Sequence, residues 1–171
     1  MNTLVHDLLD LTRTDEHPDR KTFSDFNLSQ AVLETTLDFE SRAFEEGKEL
    51  RYDITEDMFY KGDESKNRQL LSILIENAMK HSNCHGEIDV VLKKNNQKIS
   101  LSVKNTGPGI SESEREKIFE RFYRSDLSRS RETGGYGLGL AIAKSITDLH
   151  KGKITALGEE GRYIIFTVNL T

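Results

Sequence analysis

Leu4, Leu8 and Leu11 fall at helical spacing with Val5 and Leu9 alongside, and the pattern then dissolves into Asp15-Glu16-His17-Pro18-Asp19-Arg20. This predicts the tail of a helix over 1–14 followed by a linker over 15–22. So short an amphipathic stub is marginal alone in water and wants a partner helix. Between 27 and 46, Leu28, Val32, Phe39 and Ala43 repeat about once per turn, and Gly47 stands where a C-terminal cap belongs, so one helix is expected there. Residues 50–54 and 58–60 read as short strands. Asp63 is placed to cap a helix running to about Ser82, in which Leu71, Leu74, Ile75 and Ala78 form the core stripe.

The period then changes from helical to two. Ile88, Val90 and Leu92 alternate with polar residues, and Ile99, Leu101 and Val103 do the same beyond Asn95-Asn96, which predicts a hairpin. Ser111 with Glu114 reads as a capping box for a helix through Ile118, Phe119 and Phe122, and a last helix is expected from Leu138 to His150, before Gly152. Two closing strands, 153–158 and 163–170, meet at Glu159-Glu160-Gly161. Helices and strands in separate runs joined by hairpins predict an α+β fold, a two-layer sandwich with a mixed, mostly antiparallel sheet and helices on one face. The stretch 124–135, rich in Ser, Arg and Gly, predicts a mobile loop.

Composition narrows the classes. The chain has 171 residues, 35% hydrophobic and 31% charged, enough for the core of one domain over 23–171. A net charge of -5 with no long basic stripe argues against a nucleic-acid partner. Cys84 is the only cysteine, so neither a disulfide framework nor a cysteine zinc site is available. No apolar run approaches the roughly 18 to 20 residues that span a bilayer.

Three segments carry candidate chemistry. In Glu76-Asn77-Ala78-Met79-Lys80-His81, the side chains of Ile73, Asn77, Lys80 and His81 share one helix face beside the core stripe. The carbonyl of Asn77 suits a magnesium ion that bridges phosphates, and Lys80 suits phosphate charge; a solvated surface with a Glu76 to Lys80 pair explains the same residues equally well. In Val103-Lys104-Asn105-Thr106-Gly107-Pro108-Gly109-Ile110, glycines at a strand end allow close approach of backbone to a flat ligand, or simply make a strand-to-helix turn. Gly134-Gly135-Tyr136-Gly137-Leu138-Gly139-Leu140 opens a helix, whose free amides favour phosphate. It lacks both the preceding strand of a dinucleotide fingerprint and the Gly-Lys-Ser/Thr ending of a P-loop.

The order of these pieces resembles the ATP-binding catalytic domain of sensor histidine kinases, over roughly residues 23 to 170. Glu76 to His81 looks like the N box, Asn105 to Ile110 the first glycine box, Ile118 to Arg124 the F box, and Gly135 to Leu140 the second glycine box. The resemblance implies ATP and Mg2+ as cofactors, with Asn77 holding the metal. It implies that Lys80 and His81 contact phosphates or ribose, and that Asn105 meets the adenine amino group over a floor of Gly107, Gly109 and Ile110. Arg124, Arg121 and Lys80 would be the catalytic cations, offsetting charge on the transferred phosphoryl group. Tyr123, Gly135, Gly137, Leu138, Gly139 and Leu140 would complete the nucleotide contacts under a lid over 125–136, with Thr167 added from the last strand. Residues 4–14 resemble the end of a dimerisation and phosphotransfer hairpin whose acceptor histidine lies upstream. The implied partners are that hairpin and, through it, a response regulator, within a membrane-anchored homodimer that keeps this domain in the cytoplasm.

Three departures accompany the resemblance. The family usually has aspartate at 105, whereas Asn105 must turn its amide oxygen toward the base; Asn105→Asp is expected to keep or tighten ATP affinity. Position 73, often asparagine, is Ile73. Tyr163, Ile164 and Ile165 replace small residues in the last hairpin. Ile73 also bears on a stand-alone ATPase of the same superfold, which would need a glutamate there as general base. A serine kinase of the anti-sigma type and a nucleotide-binding module without catalysis would share the same nucleotide fold.

Overall fold

Two alternating segments build the centre of the molecule. The computed structural model describes residues 23–124 and 137–171. Its elements are β1 (Ser24–Asn27), α1 (Leu28–Leu37), α2 (Glu40–Glu45), β2 (Glu49–Ile54), β3 (Phe59–Gly62), α3 (Glu64–His81), β4 (Glu87–Asn95), β5 (Lys98–Thr106), α4 (Gly139–Leu149), β6 (Lys153–Glu159) and β7 (Tyr163–Leu170). Five strands form one sheet in the order β2-β4-β5-β7-β6, parallel between β2 and β4 and antiparallel elsewhere. Because side chains alternate across a strand, the register Val90, Val103, Phe166, Ala156 puts one buried row across four strands. The stripe Leu71, Leu74, Ile75 and Ala78 of α3 and Ile142 and Ile146 of α4 are buried in the same core, as an α+β two-layer fold requires.

Local signals set most boundaries. Asp63 accepts from the Lys66 amide at 3.0 Å and starts α3, while Asn27 does the same for α1 through Gln30. Gly47 ends the α2 turn with φ of 66°. The 27–46 segment, expected as one helix, is two. Thr35 and Thr36 turn their hydroxyls back onto the carbonyls of Ala31 and Val32, a competition with the backbone that bends helices, and the chain restarts at Glu40 with Phe39 packed on the core.

The helix expected from Ser111 through Phe122 does not form. The Ser111 hydroxyl donates to the Glu114 carboxylate at 2.7 Å and makes no side-chain cap to the backbone, so only short 3-10 turns appear at Glu112–Glu114 and Lys117–Phe119. Phe119 meets Phe166 edge-on at 6.2 Å and ties this segment to the sheet. β1 has no alternation to announce it; it exists because β3 pairs with it in a separate two-stranded ribbon. The helix tail over 1–14, the linker over 15–22 and the loop residues 125–136 lie outside the described residues. No helix among the described residues is long and apolar enough to cross a membrane.

Candidate functional site

The last turns of α3 carry Asn77, Lys80 and His81, and β5 runs into the glycine segment beside them. The contact is close: a Cβ on Gly107 would lie 2.5 Å from the His81 carbonyl oxygen, and the Asn83 amide donates to the Thr106 carbonyl at 3.3 Å. The glycine segment is also fastened to the β6–β7 turn, by Gly107 N–H to Arg162 O at 3.1 Å and Gly161 N–H to Pro108 O at 2.7 Å. Ile110 is buried in the core behind it.

Asn105 is 1% exposed on the helix-facing side of β5. Its Nδ2 donates to the Thr106 carbonyl at 3.1 Å, and its Oδ1 is buried with no hydrogen-bond partner in the protein. An unsatisfied buried acceptor costs about 1–3 kcal/mol, so such an atom marks a place for a donor brought from outside. The adenine amino group is a donor of that kind. The same geometry bears on Asn105→Asp. The substitution puts a stronger acceptor toward the ligand but sets an oxygen against the Thr106 carbonyl where an N–H now sits. We expect ATP affinity to be kept while the unliganded domain loses about 1–2 kcal/mol; calorimetric titration and thermal melting read the two effects separately, and a large loss of affinity would show the contact is misplaced.

A cationic corner adjoins this. Burial, and after it the positive charge of Arg124, push the Lys80 ammonium below the ordinary lysine range. Phosphate oxygens suit side chains of this charge. The Phe122 amide donates to the Gly137 carbonyl at 3.0 Å, joining the 121–124 segment to the second glycine segment. Gly139, at the start of α4, faces Ile73 across ordinary contact distance, so Ile73 packs helix against helix. Leu138 is buried and Leu140 packs on the core, and the Tyr123 hydroxyl donates to Glu114 at 3.3 Å.

Not every expected residue comes together here. Thr167 sits opposite Ser102, out of phase with the buried Phe166 and Val168, so β7 places it on the sheet face away from Asn105. The residue paired with Asn105 across β7 is Ile164. Counting by twos from Phe166 shows this in the sequence alone. Arg121 is exposed, and Gly135 lies outside the described residues.

Among the described residues no group of three or more His, Cys, Asp or Glu side chains is placed to hold a metal. Magnesium needs no such cage when phosphate oxygens and water fill most of its shell, and one oxygen such as that of Asn77 fits that arrangement.

Residues 62–171 match the family described as histidine kinase-, DNA gyrase B-, and HSP90-like ATPase, and the chain belongs to that family. The sensor protein DltS of Streptococcus agalactiae is 39% identical over 160 residues, which cover 94% of this chain and 40% of DltS. The chain thus spans about two fifths of that relative's length. The catalytic domain of histidine kinase ThkA superposes with a TM-score of 0.76 at 30% identity, covering 86% of this chain and 94% of that one. Full-length ShkA in complex with AMPPNP gives a TM-score of 0.86 at 25% identity, over 98% of this chain and 35% of ShkA. Within the family, the chain is a histidine kinase catalytic ATPase domain.

Proposed function

We propose that this domain binds MgATP and transfers the γ-phosphate to a histidine on a dimerisation hairpin upstream of it, for relay to a response regulator. The parent in this reading is a membrane-anchored homodimer, residues 1–14 end its hairpin, and the domain faces the cytoplasm. The observation that carries the reading is the buried, unpartnered Oδ1 of Asn105, set beside the Lys80 and Arg124 corner. One end of the site asks for a donor on a flat base and the other carries cations suited to phosphate oxygens, as a purine nucleotide supplies. The AMPPNP complex of ShkA supports it from a relative.

In this mechanism Asn105 accepts from the adenine amino group and so orients the base. Lys80 and Arg124 offset negative charge on the phosphoryl oxygens as transfer proceeds, which is the main demand of such a step. Asn77 would be the protein's ligand to magnesium, which neutralises phosphate charge when bound. Ile73, buried in part against Gly139, has no group to take a proton from water. The site therefore favours transfer to a protein acceptor over hydrolysis.

The test mixes the chain, MgATP labelled on the γ-phosphate and a polypeptide supplying the upstream hairpin. Acid-labile, alkali-stable label on the hairpin is expected, reduced about a hundredfold or more by Asn77→Ala. Release of free phosphate at an unchanged rate without the hairpin would overturn the proposal in favour of a stand-alone ATPase.

A further inference from the structure

Lys48 is a cation built firmly into the protein against the last turn of α3. It follows Gly47, its amide donates to Ala43 O at 2.8 Å, and its side chain is only 11% exposed. Its Nζ donates to the carbonyl of Met79, in the last turn of α3 and one residue before Lys80. The same ammonium pairs with Glu46 at 2.7 Å, and Glu46 also takes Arg42 at 2.8 Å. Hydrogen bonds from Lys48 first and Arg42 second hold the Glu46 carboxyl below the usual carboxylate range.

The last turn of α3 has two properties that work against an anionic ligand. Its final carbonyls are short of intrahelical donors, and they form the negative pole of an 18-residue helix. The Ser82 amide satisfies Ala78 O at 2.9 Å, and the Ser82 hydroxyl reaches Met79 O only at 3.4 Å. Lys48 supplies a charged donor to that carbonyl, and Arg42, which also pairs with Glu46, leaves the Lys48, Arg42 and Glu46 cluster with a net positive charge. We infer that Lys48 is a positioning residue for the phosphate end of the site, fixing the last turn of α3 and offsetting its negative pole where the nucleotide phosphates arrive. The inference rests on the ATP-binding reading and assigns Lys48 no contact with the nucleotide. It acts through Met79 on the turn that carries Lys80 and His81.

The role separates phosphate binding from base binding, and the experiment uses that. Titration calorimetry measures MgATP and adenosine with the unsubstituted chain, Lys48→Met and Lys48→Arg. The expected result is an ATP dissociation constant about two- to fivefold higher in Lys48→Met, the range of a charge at a helix end, with adenosine unchanged and Lys48→Arg close to the unsubstituted chain. Should Lys48→Met fail to fold, Lys48→Gln keeps a donor to Met79 without the charge and carries the same expectation. Equal losses for ATP and adenosine, or no loss for ATP, overturn the inference while leaving nucleotide binding intact. An unsubstituted chain that binds no MgATP removes the functional reading and this inference together.

Discussion

Alanine in place of Gly109 is expected to destabilise the domain by about 2–4 kcal/mol, combining a left-handed backbone penalty with overpacking. Gly109 has φ of 68°, and a Cβ there would lie 2.0 Å from the carbonyl oxygen of Glu159. That oxygen is backbone, in the strand end next to the turn that Gly161 and Arg162 tie to the glycine segment, so it cannot swing aside as a flexible side chain would. Relief of the clash has to move the glycine segment away from β6, and Asn105 is four residues upstream. Loss of ATP affinity is therefore expected along with a lower melting temperature, by about 5 °C or more. Gly161→Ala is the control. Its φ is 76°, yet nothing lies within 4 Å of a Cβ there, so only the backbone penalty of about 1–2 kcal/mol applies. Equal melting temperatures for the two variants would show that the close approach at Gly109 carries no weight.

The second large effect concerns His150, buried at the far end of α3 and α4 from the glycine segments. Its Nε2 accepts from the Asp63 amide at 3.0 Å and meets Asn67 Nδ2 at 3.0 Å, while Nδ1 lies 2.8 Å from Ile146 O. Two donors on one nitrogen and a carbonyl on the other require the neutral ring with its proton on Nδ1. Phe23 stacks on the ring at 4.8 Å and Tyr60 tilts against it at 6.0 Å. Removing the ring takes a hydrogen bond from each of three polar groups and opens a gap, so His150→Ala should cost about 3 kcal/mol, or about 6–12 °C in melting temperature.

Acid should act in the same direction. Burial lowers the His150 pKa from its ordinary 6.5, against the smaller raising effects of the Ile146 carbonyl and the Asp63 charge. The folded state then holds the neutral ring at pH values where the unfolded chain takes up a proton. The stabilisation is complete well above pH 6.5 and is lost progressively as pH falls toward the depressed folded value. Scanning calorimetry at pH 7.5 and 5.5 checks this. A drop of the same size in His150→Gln would assign the acid limb to other groups.

Much of the frame was legible in the order of residues because its signals are local. Asp63 caps its own helix three residues on, the turn at Asn95-Asn96 separates two alternating runs, and Gly47 and Gly161 stand where positive φ is needed. Four short segments in a fixed order likewise mark the family, since each uses residue types suited to one task. The helix expected after Ser111 fails because a capping box is only one of the bonds open to Ser111 and Glu114, and the two side chains bond each other.

Other features depend on partners far along the chain. β1 is a strand because β3 lies beside it, and Thr167 faces away from the site because β7 pairs in one register and no other. Asn105 is an orphaned acceptor only because folding buries it and turns its Nδ2 to Thr106, and Lys48 reaches Met79 across 31 positions of sequence. Most helices, the hairpins, the caps and the kinds of functional side chain can be read along the chain, since they follow from neighbours within a few residues. Which of these groups are desolvated, which face each other and which remain unsatisfied is settled by folding alone, because burial and long-range pairing belong to the packed chain as a whole.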